Sequence, residues 1–400
     1  MKSYLILILA ILIGVISGVS QFELILKAAE VISTLFMNFL KFIAAPIVFL
    51  SIFSTLLGLS GFGEMTNLGK KVFTYTLLTT LLAATVALLL FQLIDPSQEG
   101  MMAGDWQGVA AQKKSYLSFF TNIIPSNLVQ AFLENNVIGI AFISFLFGLA
   151  AFKLPNGERE LLHRFFSASF QLVLKVTETL VAMIPLGIWA FVTLLIGELR
   201  ENTAQFKSLM LYLSVVLGAN LIQGCVILPL FLKSKGLSPL KILKGSAKAL
   251  LLAFFSKSSN ATLPVTLQCA EKKLNIQPRV ANFSLPLCTV INMNGCAAFI
   301  LITVLFVSKM HGVIFTLGDL GMWVILATIA AIGNAGVPMG CFFLSSAFLI
   351  ATGVPIKLMG MILPFYAFLD MVETALNVWS DVAVTAVIDK ELKEAECVIS

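Results

Sequence analysis

Asp370, Glu373, Thr374, Asn377 and Asp381 interrupt an otherwise apolar stretch near the end of the 400-residue chain, at i, i+3, i+4, i+7 and i+11. On a helix turning about 100° per residue, all five fall within an arc of about 100°. The intervening positions are Met371, Val372, Ala375, Leu376, Val378 and Trp379. Three carboxylates in one intramembrane stripe are too costly to face lipid, so the face must meet protein, water, an ion or a substrate. Acids hold amines and cations, and an asparagine both donates and accepts. The chemistry is therefore ligand holding. Bond making by an enzyme would need a nucleophile with a base or a metal cluster, and the apolar stretches carry no such Ser/His or ligand grouping.

Three further polar interruptions lie upstream: Ser256-Lys257-Ser258-Ser259-Asn260, Asn292-Met293-Asn294-Gly295, and Gly333-Asn334-Ala335-Gly336-Val337-Pro338. A helix broken at membrane depth leaves N–H and C=O groups free. Each costs several kcal/mol in hydrocarbon, so such breaks are tolerated where they line a buried site. Half-helix N-termini attract a carboxylate, and unwound carbonyls replace the water around Na⁺. The Ser-rich and Gly-rich tips suit the first task, and the break at Gly295 suits the second.

The elements that must position these groups follow from composition. The chain is 58% hydrophobic and 12% charged, with a mean hydropathy of +0.97. Such a balance indicates an all-α polytopic membrane protein with no large extramembrane domain. The net charge of +5 gives no reason to expect nucleic acid. Six cysteines, Cys225, Cys269, Cys288, Cys296, Cys341 and Cys397, show no CxxC pairing and are read as unpaired packing residues. His163 and His311 are read as residues of polar connections. The stretch from Leu5 to Val19 is read as a retained first helix, because no A-x-A-like cleavage site follows it.

Apolar spans are expected near 3–20, 31–59, 72–94, 137–152, 165–193 and 208–232, followed by broken segments at 243–270 and 321–352 that alternate with spans at 280–307 and 358–388. If the broken segments are re-entrant hairpins and the N-terminus is cytoplasmic, the basic loops lie inside. These include Lys70 and Lys71, Lys233 to Lys248, and Lys272 to Arg279, in keeping with the positive-inside rule. The segment 95–136 is expected to be an external loop, and the tail 389–400 a frayed end. Asn260-Ala261-Thr262-Leu263-Pro264 and Asn334-Ala335-Gly336-Val337-Pro338 share the pattern N-A-x-(L/V)-P, each ahead of a polar-centred span. One hairpin would open inward and the other outward, an inverted repeat.

These motifs together resemble the dicarboxylate/amino acid:cation symporter family, the glutamate transporter homologues. Lys257 to Pro264 is similar to its serine-rich first hairpin, and Asn292 to Gly295 to its NMDG-type break. Ala331 to Pro338 is similar to its second hairpin, and Asp370 to Asp381 to its last helix. Lys41 to Pro46 and Leu77 to Thr80 fit earlier family segments, so the likeness covers essentially the whole chain. A relative is one of the handful of transporters that define the inverted-repeat class.

The resemblance implies a fold of eight transmembrane helices plus two re-entrant hairpins, a homotrimer in the lipid bilayer, and an elevator mechanism. Scaffold helices would occupy 1–70 and, with the external loop, 96–207. The transport domain would comprise 71–95 and 208–390, with a cytoplasmic tail at 391–400. Asp370 would take a substrate ammonium and Asn377 its backbone. Ser258, Ser259 and the amides near Val337 and Pro338 would hold the α-carboxylate, with Cys296, Cys341, Glu373 and Thr374 completing the pocket. Na⁺ would be the coupling ion, with no organic cofactor. Asp381 with Cys288, Asn292 and Asn377 would form one Na⁺ site. Val290, Met293, Ala331, Ile332 and Asn334 would form a second. Thr79, Thr80 and Asn294 would form a third.

The chain departs from the family pattern at telling places. Glu373 stands where acidic-substrate members carry an arginine, and its surroundings resemble the serine/threonine-transporting branch. A second carboxylate there would repel an acidic substrate. Small neutral amino acids such as serine or threonine are therefore expected. Glutamate, aspartate or a dicarboxylate is the alternative, carried with Na⁺ or H⁺. Glu373 also reads as a protonated spacer or a partner of Lys257. Asn294 replaces an aspartate and Thr76 a tyrosine at the deepest Na⁺ site, which predicts fewer coupled ions. A bacterial inner membrane, with both termini cytoplasmic, is the expected location.

Overall fold

The computed structural model describes residues 2–58, 66–97, 127–133, 137–151, 153–201, 203–334 and 339–399. Among them it is built of helices. In chain order these are α1 (Lys2–Ser20), α2 (Glu23–Gly58), α3 (Thr66–Ile94), α4 (Leu128–Leu133), α5 (Val137–Ala151), α6 (Asn156–Ala182), α7 (Ile184–Glu201) and α8 (Thr203–Ile222). A π-helical turn, Gln223–Ile227, leads into α9 (Leu228–Ser234). Then follow α10 (Pro239–Ser256), α11 (Ser259–Leu274), α12 (Pro278–Ile291), α13 (Asn294–Met310), α14 (Leu317–Gly333), α15 (Gly340–Ala351) and α16 (Lys357–Ile399).

Every interruption read from the sequence is a break between helices. Lys257 ends α10 in the left-handed region at φ 55°, and Ser258 caps α11 by accepting a hydrogen bond from the Ala261 N–H at 3.2 Å. Asn292 and Met293 leave helical geometry between α12 and α13. Asn334 ends α14, and Met339, at φ 58°, opens α15. The entry to α14 carries a capping box between Thr316 and Asp319.

Two expectations are corrected. The span 165–193 is two helices, because Pro185 has no N–H to bond the Val181 carbonyl and its ring would clash with it, so the helix stops at Ala182 and restarts at Ile184. The charged end is helical through Ile399 instead of frayed. Glu391 there receives hydrogen bonds from Lys71, Tyr75 and Lys235, and Asp389 accepts one from the Gln277 N–H at 2.9 Å. His163 lies inside α6, whereas His311 caps α13. Most of the expected external loop falls outside the described residues.

Among the described residues, four helical stretches are long and apolar enough to cross a membrane: Leu68–Ile94, Phe206–Ser234, Pro278–Met310 and Lys357–Ala395. Shorter apolar helices include Leu9–Ser20, Ile184–Leu194, Leu317–Gly333 and Gly340–Ala351. Packing sorts the helices into two sets. In one, α2 lies against α5, α6 and α7, and α1 lies against α7. Gly14 and Gly18 allow that second approach: a Cβ at Gly18 would come 2.6 Å from Ile196 Cβ. Close backbone contact of this kind, through small residues four apart, substitutes for a hydrophobic drive that lipid does not supply.

In the other set, α13 is surrounded by α3, α8, α14, α15 and α16. Its residues from Asn294 to Ser308 are all buried, whereas α3 exposes Leu89 and Leu93 and α14 exposes Ile325 and Ile329. Apolar side chains thus face outward at the periphery, and polar ones are reserved for the interior, as a lipid solvent requires. The two sets meet where α15 touches α2 and α16 touches α7.

Candidate functional site

The stripe on α16 is buried along its whole length: Asp370 is 8% exposed, Glu373 1%, Thr374 6%, Asn377 3% and Asp381 0%. Facing it are the start of α13, the tip between α10 and α11, and the ends of α14 and α15. Gly295 makes the closest approach possible, since a Cβ there would lie 2.8 Å from Glu373 Cα. Its N–H donates to Asn377 Oδ1 at 2.9 Å, tying the break in one helix to the stripe of another.

A small pocket lies between these elements, lined by Lys257, Ser259, Met293, Cys296, Asn334, Cys341, Asp370, Glu373, Thr374 and Asn377. Seven of the residues expected to hold substrate therefore converge on one cavity: Ser259, Cys296, Cys341, Asp370, Glu373, Thr374 and Asn377. Ser258 does not line it and instead caps α11. Val337 and Pro338 lie outside the described residues. Met293 and Asn334, expected at an ion site, line this pocket as well.

Lys257 was expected, if paired, to meet Glu373; its electrostatic neighbour is Asp370. The cysteine expectation also needs correcting. Cys296 and Cys341 have Cα atoms 5.4 Å apart and sulfurs in bonding contact, while Cys225, Cys269 and Cys288 are free. A separation of 45 residues hid the pair; packing of α13 on α15 creates it.

Below the pocket lies a second polar layer. Asn292 Nδ2 donates to Asp381 Oδ1 at 3.0 Å and to Ser380 Oγ at 2.9 Å. Asp381 Oδ2 has no hydrogen-bond partner. Cys288 is a near neighbour of that carboxylate, and its carbonyl accepts the Asn292 N–H at 2.8 Å. Thr79 Oγ1 lies 3.2 Å from Asn292 Oδ1, Thr80 Oγ1 donates to Asn294 Oδ1 at 2.9 Å, and Asn294 also bonds Ser380. Residues expected at the first and third Na⁺ sites are thus one connected network. Ser380 and Gln223, which donates to the Thr79 carbonyl at 3.1 Å, belong to it too and were not anticipated. The π turn at Gln223–Ile227 is the one local feature beside Gln223. The residues expected at the second Na⁺ site flank the junction of α12 and α14, with Ala331 and Asn334 buried there.

Charge matters as much as shape here. Two of the three stripe acids keep oxygens without protein partners: both oxygens of Glu373 and Oδ2 of Asp381. The Tyr366 hydroxyl lies near enough to Glu373 to reorient onto it, but makes no bond of good geometry. Buried carboxyls left in this state cost free energy unless a ligand or a cation completes them.

Comparison with known proteins decides the class. The family model for the sodium:dicarboxylate symporter family matches residues 4–391. The chain belongs to that family. Excitatory amino acid transporter 3 of Mus musculus is 33% identical over 262 residues, 65% of this chain and 49% of the mouse protein. A putative sodium-dependent excitatory amino acid transporter of Caenorhabditis elegans is 27% identical over 406 residues, 89% of this chain and 81% of the nematode protein. A further excitatory amino acid transporter of that nematode is 25% identical, over 87% of this chain and 78% of its own length. The chain thus spans about half of the mouse relative and most of the nematode ones. The symporter family and these relatives are transporters.

Proposed function

We propose that this symporter-family chain is a secondary active, Na⁺-coupled amino-acid carrier. One observation carries the reading: a single buried stripe presents acids whose oxygens no protein group satisfies, facing helix breaks on α10–α11 and α12–α13. A zwitterion and a cation would supply what is missing. Asp370 would take the ammonium, Asn377 the backbone, and Ser259 with the start of α11 the α-carboxylate. Asp381, with the oxygen-bearing residues of the Asn292 break, offers the hard donor set that suits Na⁺. Thr79, Thr80 and Asn294 would form a weaker site, because an asparagine brings an oxygen without a charge.

The side chain of the substrate is read from two observations that pull apart. The family's description carries dicarboxylates, the relatives' names carry excitatory amino acids, and Lys257 puts a cation on the pocket wall. On these grounds an acidic amino acid or dicarboxylate is favoured over the small neutral amino acid expected from Glu373. Glu373 would then act in its protonated form, donating a hydrogen bond. Small neutral amino acids are the second reading, supported by Glu373 itself: a carboxylate suits a substrate hydroxyl and repels a second acid.

The carrier would work as an elevator in a homotrimer, with the set around α13 moving against the set around α2. The separate packing of the helices around α13 and around α2 supports that division. A bacterial inner membrane with cytoplasmic termini is the setting that the basic loops suit.

Purified protein in proteoliposomes tests the proposal. Uptake of aspartate, glutamate, serine, threonine, alanine and lysine would be measured with Na⁺ or choline outside. Na⁺-driven aspartate uptake is the expected result. Serine uptake without aspartate uptake would overturn the acidic reading, and uptake that follows a pH gradient equally well in choline would overturn Na⁺ coupling. Glu373→Arg should raise the preference for acidic over neutral substrates; an unchanged ratio would mean that Glu373 does not meet the side chain.

A further inference from the structure

Three soft or anionic donors meet in the pocket from three different helices. Cys296 Sγ comes from the first turn of α13, Cys341 Sγ from the first turn of α15, and a Glu373 carboxylate oxygen from the middle of α16. All lie within 4.8 Å of one another. The residues are 3%, 2% and 1% exposed. Both Glu373 oxygens lack a hydrogen-bond partner, so a buried carboxyl lies beside the two sulfurs with its oxygens unengaged.

We propose that, with the two cysteines reduced, Cys296, Cys341 and Glu373 bind a thiophilic divalent cation of the Zn²⁺ or Cd²⁺ class. Zn–S bonds of about 2.3 Å and Zn–O bonds of about 2.1 Å place tetrahedral ligands roughly 3.5–3.8 Å apart, compatible with this spacing after small side-chain adjustments. Two sulfurs and one carboxylate leave a fourth position for water. Asn334 Nδ2, 3.2 Å from Cys296 Sγ and 3.5 Å from Cys341 Sγ, already donates to both sulfurs and would orient them as thiolates. Na⁺, Mg²⁺ and Ca²⁺ prefer all-oxygen shells, so this site selects against the coupling ion.

Binding balances as follows. The cation takes two thiolates and one carboxylate, and each thiol that coordinates releases its proton. Glu373 releases one as well where it is protonated. Oxidation joins the sulfurs and removes both thiolates, so the site exists only in the reduced protein. The bound ion would lie beside Asp370 and Asn377, against the space assigned to substrate. Competition with substrate therefore rests on the transport reading, whereas metal binding does not.

The test uses the full chain in detergent micelles with a phosphine reductant, titrated with Cd²⁺ and followed by thiolate-to-metal absorption in the ultraviolet. The expected result is one equivalent bound per chain. The band should be lost in Cys296→Ser, in Cys341→Ser and after oxidation with diamide, and affinity should fall about tenfold or more in Glu373→Gln. Elution volume and far-ultraviolet circular dichroism check that each variant is folded. No saturable band in the reduced protein overturns the site, as does a band that survives in either folded serine variant. Affinity unchanged in Glu373→Gln overturns the carboxylate's place in it. In proteoliposomes, Cd²⁺ should raise the substrate concentration needed for half-maximal uptake. Absent transport with an intact Cd²⁺ titration would discard the carrier reading and leave the metal site standing.

Discussion

The last helix carries acids in two regions, and the two are treated in opposite ways. Near its C-terminal end, Glu391 is fully engaged: Lys71, Tyr75 and Lys235 all donate to it, and Lys235 also lies 4.8 Å over the Tyr75 ring. Asp389 likewise holds the Gln277 N–H and Lys393. About two to five turns back, Glu373 and Asp381 are more deeply buried yet keep oxygens with no partner. A structural acid is one whose neighbours complete it. An acid left incomplete where desolvation costs most is the kind that an ion or substrate would complete, which is the proposed difference between this region and a clamp.

The largest effect is expected where this contrast is strongest. Asp381→Asn removes the charge but keeps the Asn292 contact, so the Na⁺ concentration for half-maximal uptake should rise about tenfold or more. An unchanged Na⁺ response in proteoliposomes would place the ion elsewhere. A smaller effect is expected at the completed end. Glu391→Gln should leave Na⁺ dependence unchanged and lower stability by about 1 kcal/mol, the scale of a partly exposed ion-pair network. Thermal unfolding in detergent measures it, and a shift in Na⁺ dependence would erase the distinction between the two regions.

The smallest effect concerns a third acid, at the other end of the fold. Burial opposes ionisation of Asp95, but hydrogen bonds from Lys309 and Ser97 outweigh it and hold the carboxyl below its ordinary value. A depressed value means that the folded state binds the proton less tightly than the unfolded chain. The stabilisation is therefore present above the ordinary carboxyl range and is lost as pH falls through the folded value. Melting temperature in the wild type should decline at acid pH more than in Asp95→Asn. Parallel pH profiles would show that the Lys309 contact contributes nothing.

Much of this was legible in the sequence because each signal is local. The stripe on α16 follows from five residue types and the pitch of a helix. The helix breaks at Lys257, Asn292 and Asn334 follow from polar residues where the bilayer tolerates none. The division at Met183 was carried by a local signal, Pro185, inside the span read as one. Other features needed distant parts of the chain. Gln223 meets the Thr79 carbonyl across 144 residues. Lys257 has Asp370 as its electrostatic neighbour across 113 residues of sequence, a pairing that composition does not encode.

The sequence by itself determined that this chain is helical and lipid-embedded, that its last helix has one costly acidic face, and that broken helices must shelter that face. Those conclusions need only periodicity and the free energy of placing polar groups in hydrocarbon. The tertiary structure alone decided which acids are completed and which are left open. It also brought Cys296, Cys341 and Glu373 together from three helices. Completion and coordination depend on distances between elements far apart in sequence, and packing around α13 is what sets those distances.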